Sequence, residues 1–381
     1  MTAPSEPADG SASRLWTVLA VAFLLRLLLL LATDRVDVDV LRYWKVGTHL
    51  LDVSWNPYQA PRLYPYPPLW MWVEAGSAWL ARESGVSFAL LVRLPVLAAE
   101  VALVALLARL AGRPAAWVYA LHPVSLLVSA CHGQFDAIAM LFVLLAVAAQ
   151  RAGRFDRAAL GLAVAIGLKS FPVLLLPVFL LATPARDRIR WALFATLPVA
   201  VSLLPFAWHD LAAVRRELFG YGGVADFGWI AVVRAARFLA TGALARAEAA
   251  HWTGFVTVAK LLFGAAYGVL LVRWWRAPRA PDLPAMCLAV LLAFLTLYGA
   301  LSAQYLLWVV PLGVLALSRP FAVYGAVTTL ALLAFYVFLA PGVLGLAVPR
   351  SIAGPAWAVG VGAQWLATAW WALRAERESR T

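Results

Sequence analysis

The chain has 381 residues, is 64% hydrophobic and 13% charged, and has a mean hydropathy of +0.83. Repeated uncharged apolar runs of near-bilayer length exclude an ordinary soluble domain and leave little room for a separate soluble module. The formal charge of +12 would point to nucleic acid in a soluble protein, but here the arginines gather in short connectors, at Arg151/Arg154/Arg157, Arg186/Arg188/Arg190, Arg273/Arg276/Arg279 and Arg374/Arg377/Arg380. That is the positive-inside pattern of a lipid-contacting protein, and no nucleic-acid partner is expected.

Taken in chain order, the first apolar run is 15–33, after a polar tail, and it reads as a retained helix rather than a cleaved leader. A loop rich in Tyr, Pro, Trp and Asp follows, and the whole region 34–87 forms the first long outer loop, with a short apolar piece at 69–82 that suits the interface. Spans follow at 88–108, 114–131 and 137–150. The segment 158–182 carries Arg clusters on both sides yet is one membrane thickness long. It reads as two half-helices folding back near Lys169-Ser170-Phe171-Pro172, with Pro172 as the cause of the break. The alternative is a single crossing, with 224–241 restoring the parity. After a span at 191–208 comes a second outer loop, 209–252, holding "GYGGVADFGW". The last spans are 253–272, 285–303, 305–318, 321–341 and 355–373. The expected fold is an all-α polytopic protein of the cell membrane, one integral domain of about 12 segments, with both long loops exoplasmic. Cys131 and Cys287 make neither a disulfide framework nor a thiolate metal site.

On this topology the polar groups converge on one side. They are Asp34, Asp37 and Asp39 with Arg42, Tyr43 and Lys45; Asn56-Pro57-Tyr58; Tyr64 to Trp70, with Tyr66 inside; His132-Gly133-Gln134-Phe135-Asp136; His209, Asp210, Arg215 and Arg216; and Gln304-Tyr305. Asp37 and Asp39 share a face if extended and part if helical. They read either as a divalent-metal Asp-x-Asp or as a pair of which one is a general base, against the plain alternative of helix caps in a solvated loop. Asp136 at a helix N-terminus gains capping energy, and His132 alone makes no metal site. Lys169 lies deep in an apolar run and needs a partner unless it snorkels, and a lipid phosphate would suit it. Glu74, Arg93, Glu100 and Lys260 pose the same question, which Arg–Glu ion pairs could answer. Arg215 and Arg216 offer forked donors for phosphate, with a surface charge pair as the plain alternative. The Gly-rich stretch matches no nucleotide motif and reads as a flap over an opening. Tyr305 and Trp308 read as a sugar or lipid wall, or as an aromatic belt.

These residues resemble the GT-C superfamily of membrane glycosyltransferases, which use polyprenyl-phosphate sugars. "VDVDV", "NPY", "YPYPPLW" and "SAQYLLWVVPL" look like parts of the mannosyltransferase that adds the first mannose to glycosylphosphatidylinositol. Asp37-x-Asp39-x-x-Arg42-x-Trp44, Tyr66-Pro67-Pro68-Leu69 and the His132-x-Gln134-Phe135-Asp136 pattern are similar to the dolichyl-phosphate-glucose-dependent enzymes, although Glu is usual where Asp39 stands. Bacterial members pair the Gly133–Asp136 form with a Lys-x-x-Pro segment like Lys169–Pro172. The resemblance covers roughly residues 15 to 315.

It implies a GT-C fold and inverting transfer of a hexose, mannose slightly ahead of glucose, from a polyprenyl-phosphate donor to an exoplasmic glycan or glycolipid. The resemblance puts the base first on Asp37, with Asp39 supporting it or binding the acceptor; the looser bacterial pattern would select Asp39 with Tyr43 instead. Arg42, Lys169, Arg215 and Arg216 are the candidates for the donor phosphate. Tyr43, Tyr66, His132, Gln134, Asp136, Gln304 and Tyr305 are the candidates for sugar or acceptor contacts. The family shares no single metal requirement, so a divalent ion at Asp37/Asp39 stays open. The competing reading is a transporter or flippase of lipid-linked sugars.

Overall fold

A computed structural model describes residues 10–33, 38–220, 222–277 and 282–378; Asp34, Asp37, Tyr221, Arg279 and Arg380 lie outside the described residues. The chain is helical almost throughout. Among the described residues the only β pairing is two isolated bridges, Val224 to Glu248 and Phe227 to Leu301.

In chain order the helices are α1 (Gly10–Ala32), α2 (Val38–Asp52), α3 (Leu69–Ser84), α4 (Phe88–Ala120), α5 (Pro123–Ser125), α6 (Asp136–Arg151), α7 (Phe155–Leu168) and α8 (Leu176–Leu181). The second half holds α9 (Arg188–Gly220), α10 (Trp229–Thr241), α11 (Thr253–Arg276), α12 (Leu283–Leu297), α13 (Val310–Ala316), α14 (Arg319–Phe338), α15 (Pro341–Leu344) and α16 (Arg350–Glu378). Five helices, which include α1, α4, α9, α11 and α14, are long and apolar enough to cross a bilayer, and shorter apolar helical stretches lie at 171–181, 283–297 and 303–316. Apolar side chains such as Trp16, Leu28, Ile189, Phe219 and Leu330 point outward from them. Lipid is the solvent for such surfaces, and backbone polar groups are satisfied within each helix. The protein is therefore an all-α, multi-pass membrane protein.

The segment between the two Arg clusters folds back on itself. At its start, Asp156 pairs with Arg190 at 2.5 Å; at its end, Thr183 receives a hydrogen bond from Gln150 at 2.8 Å, and Trp191 donates to the same glutamine at 3.2 Å. Both feet thus stand beside the end of α6, and the turn between them is Lys169, extended at φ −147°, followed by a 3-10 stretch that opens on Phe171-Pro172. The region expected at 209–252 is less of a loop than its composition implies. Helix α9 runs on to Gly220 past a kink at Asp210, and α10 lies within the region and packs on α16. Likewise α4 continues to Ala120 across a break at Gly112, where φ is +82° and Pro114 follows.

Two arginines inside the helix bundle, Arg26 and Arg93, are answered by partners. Arg26 on α1 is buried against Glu100 on α4 at 3.0 Å and also donates to Ser125 Oγ at 2.6 Å and the Ala120 carbonyl at 2.8 Å. Arg93 donates to the Ala89 and Thr33 carbonyls at 2.7 and 3.1 Å. Glu74 is fully buried with neither carboxylate oxygen hydrogen-bonded to a described residue, and Lys260 is exposed on α11. Breaking a buried pair by deleting one partner leaves a stranded charge. Glu100→Ala is expected to cost about 3–5 kcal/mol, and Glu100→Gln less, read as thermal unfolding in detergent; equal stability of wild type and Glu100→Ala would refute the role of the pair.

Candidate active site

The centre of the site is built by two pieces of chain brought together from far apart in sequence. Asp39 and Tyr43 stand one helical turn apart near the start of α2, so both side chains lie on the same face. The other piece is His132–Asp136, between the widened π-helical turns of 126–131 and α6. The His132 and Gln134 amides still donate back to the Leu127 and Val128 carbonyls, at 3.0 and 3.1 Å. Gly133 makes the turn possible: its φ is +77°, and a Cβ there would lie 2.7 Å from Arg93 Cδ.

Asp39 Oδ2 accepts from His132 Nε2 at 3.0 Å and from Gln134 Nε2 at 2.7 Å. The Tyr336 hydroxyl stands 3.2 Å from His132 Nδ1, and the Tyr43 hydroxyl donates to Gln134 Oε1 at 3.1 Å. With Nε2–H directed at the carboxylate, Nδ1 of a neutral imidazole accepts from Tyr336. The Asp39 side chain is 28% exposed, so solvent reaches it although protein surrounds it. Burial works against its charge, but the hydrogen bond from His132 and the charges of His132, Arg42 and Lys169 outweigh that, and the carboxyl sits below its usual range.

A second pair lies alongside. Lys169, at the hairpin turn, is buried and hydrogen-bonds Asp136, the first residue of α6, while Trp308 Nε1 donates to the other Asp136 oxygen at 2.6 Å. Aromatic rings close around the ammonium: Phe135 at 4.3 Å and Tyr66 at 5.2 Å. Phe135 stacks on Trp70, and Trp308 stacks between Phe171 at 3.8 Å and Tyr305 at 4.2 Å. Lys169 therefore does not snorkel; it has a carboxylate partner at depth.

Of the residues singled out from sequence, Asp39, Tyr43, Tyr66, His132, Gln134, Asp136 and Lys169 come together, with Tyr305 joined through Trp308. Gln304 is buried beside them and makes no side-chain hydrogen bond to a described residue. Asp37 lies outside the described residues. Arg42 is within range of the Asp39 charge and lines a cavity of about 610 Å³ with Lys45, Thr48, His49 and Arg62. Arg215 and Arg216 sit on α9; Arg216 is engaged by the Tyr58 carbonyl at 2.9 Å and Glu217 at 3.0 Å, and neither arginine bonds to the Asp39 or Lys169 clusters. Among the described residues no group of three His, Cys, Asp or Glu side chains is arranged to cage a metal. Tyr336 is the contributor that the sequence hid, because a tyrosine in an apolar span reads as packing.

A multi-pass helical membrane protein with a carboxylate–imidazole centre and an adjacent buried ammonium is the class that fold and site define. The model for glycosyltransferase family 87 matches residues 64–298, and the chain belongs to that family. Glycosyl transfer is thus the activity to be accounted for. No match is found among curated proteins. Among solved structures, ArnT from Cupriavidus metallidurans bound to undecaprenyl phosphate is 17% identical, over 98% of this chain and 79% of its own, with a TM-score of 0.48, a likeness too distant to bear on mechanism.

A carboxylate held below its usual range contributes stability above its unfolded pKa and loses that contribution as pH falls through the folded one. The stability difference between wild type and Asp39→Asn is therefore expected to be level at neutral pH and to shrink below about pH 3.8, the ordinary value, in detergent melts; a difference that grows with acid would reverse the assignment. Lys169→Met, which strands the Asp136 carboxylate, is expected to cost about 3–5 kcal/mol. Adding Asp136→Asn should recover most of that loss, and strict additivity of the two substitutions would show that the pair is not coupled.

Proposed function

We propose that the protein transfers a hexose from a polyprenyl-phosphate donor to a glycan or glycolipid hydroxyl on the exoplasmic side, with inversion. Asp39 is the base in this reading, ahead of Asp37, which stands first in the family-like pattern. The observation that carries it is the Asp39–His132–Tyr336 array standing beside the Lys169–Asp136 pair. Family membership supports glycosyl transfer in general, and the motif resemblance supports the lipid-phosphate donor, with mannose slightly ahead of glucose.

The chemistry is a single displacement. The acceptor oxygen attacks the anomeric carbon, the bond from that carbon to the phosphate oxygen breaks, the electron pair leaves with the polyprenyl phosphate, and the acceptor proton passes to Asp39. A carboxylate held below its usual range takes that proton only once the new bond is forming and the hydroxyl has become acidic. His132 and Gln134 hold the carboxylate in one orientation for that moment. The leaving phosphate needs positive charge more than a proton, and Lys169 retains N–H groups beyond the one given to Asp136, with Arg42 as the second cation. One base without a nucleophile relay gives inversion and no glycosyl-enzyme intermediate.

Asp39→Asn is expected to lower transfer from radiolabelled polyprenyl-phosphate mannose or glucose by about 10²- to 10⁴-fold, with donor binding retained. Asp37→Asn, measured beside it, is expected to fall less. Normal turnover by Asp39→Asn would move the base to Asp37, and a wild type inactive with both donors would overturn the lipid-phosphate reading.

A further inference from the structure

The second long loop contains a short piece of pinned chain. Residues 222–228 run between 245–249 on one side and 298–301 on the other. The Ala225 amide donates to the Ala247 carbonyl at 2.7 Å, the Ala249 amide to Gly223 at 3.2 Å, and Phe227 and Leu301 exchange amide hydrogen bonds at 2.8 and 3.2 Å. The bridge residues Val224 and Phe227 flank a two-residue turn, Ala225-Asp226. Gly228, at φ +80°, meets the Gly299 and Tyr298 carbonyls so closely that a Cβ would lie 2.7 Å from the first. Arg234 of α10, itself buried, spends its guanidinium on carbonyls: Nη1 on Ala225, and Nε and Nη2 on Ala245 at 3.1 and 3.0 Å. A stretch that reads as a flap is held by backbone bonds on both flanks.

That anchoring delivers one carboxylate to the site. Phe227 packs on Phe335 with ring centres 5.5 Å apart, Phe335 touches Tyr336 at 5.3 Å, and Tyr336 touches the His132 ring at 5.4 Å. The neighbouring Asp226 lies within range of the Asp39 and His132 charges. Its carboxylate makes no hydrogen bond and no ion pair with a described residue, because the nearest cation, Arg234, is committed to carbonyls. The side chain is half-buried, so it is open to a ligand though enclosed by protein. A carboxylate so enclosed and left unpaired is costly unless something else completes its hydrogen bonds.

Resting on the glycosyl-transfer reading, we infer that Asp226 is a sugar-binding residue. Its carboxyl oxygens receive hydroxyl groups of a pyranose seated against Asp39. The pinned turn sets the position of that contact, which makes the turn a specificity element rather than a lid. Burial pushes the Asp226 carboxyl up to about 7, against the pull of Arg234. Near neutrality such a group both accepts from and donates to sugar hydroxyls, which suits a polyol without a fixed charge.

The test uses the full chain in detergent. Asp226→Ala is expected to raise KM for either the acceptor or the hexosyl lipid about tenfold or more, with kcat little changed, because the contact is made equally in ground and transition states. Whichever KM moves tells which sugar the carboxyl holds. Asp226→Asn, which keeps a hydrogen-bonding head of the same shape, is expected to lose less and guards against a folding defect in the alanine variant. Separately, binding of methyl α-mannopyranoside and methyl α-glucopyranoside, followed by saturation-transfer NMR, is expected in wild type and to weaken by a similar factor in Asp226→Ala. KM values unchanged for both substrates, or pyranoside binding that is absent in wild type or untouched by the substitution, would overturn the inference. A wild type that binds pyranosides but transfers from no hexosyl lipid would overturn the lipid-phosphate reading and leave Asp226 standing.

Discussion

The contact between Lys169 and Asp136 is the constraint around which the rest is arranged. An ammonium at depth among apolar helices is tolerated only with a partner, and its partner sits on the first residue of another helix. The pair fixes the hairpin turn against the start of α6, and Trp308 draws in the chain that leads to α13. Because Asp136 is anchored in this way, the preceding residues have one path back to the π-turns, and that path presents His132 and Gln134 to Asp39. Two charged clusters with different duties thus share a short loop. One is an ion pair lined by aromatic rings, and the other is open to water through the exposed part of Asp39.

In the proposed reaction charge appears and then leaves, and the open cluster is where the proton would be received. The carboxylate takes an imidazole and an amide on one oxygen, and the imidazole is oriented from behind by Tyr336. Nothing in this arrangement needs to move for a proton to arrive, so reorganisation at the reacting centre is small. The cost of holding several polar side chains in an apolar bundle is met by mutual hydrogen bonds, in the same way that Arg26, Glu100 and Ser125 satisfy one another elsewhere.

Sequence reasoning reached the helices and much of the site because lipid imposes simple rules. Apolar length disclosed an all-α, multi-pass chain, and the Pro172 break with Arg clusters on both sides disclosed the hairpin. Asp39, Tyr43, His132, Gln134, Asp136 and Lys169 stood out because polar groups in such a chain are few. What stayed hidden were contacts that depend on long-range packing. The partner of Lys169 is a carboxylate read as a helix cap, Tyr336 looked like any span aromatic, and Arg26 with Glu100 could not be matched without knowing which faces of α1 and α4 meet. Asp226 was obscured by its glycines, which read as mobility, whereas Gly228 permits a close approach to carbonyls that fastens the turn.

The hairpin carries one more implication, concerning length as a ruler. Its feet are moored beside Gln150, and α7, with 14 residues, lifts the turn about 21 Å from there, short of the roughly 30 Å of a hydrocarbon slab. The height of the ammonium is therefore set by counting residues in a helix whose own side chains do no chemistry. One residue more would raise the tip by about 1.5 Å and swing it through about 100°, away from its carboxylate. Packing limits the identity of those residues, as where Gly167 meets Leu69, and the height of the ammonium limits their number.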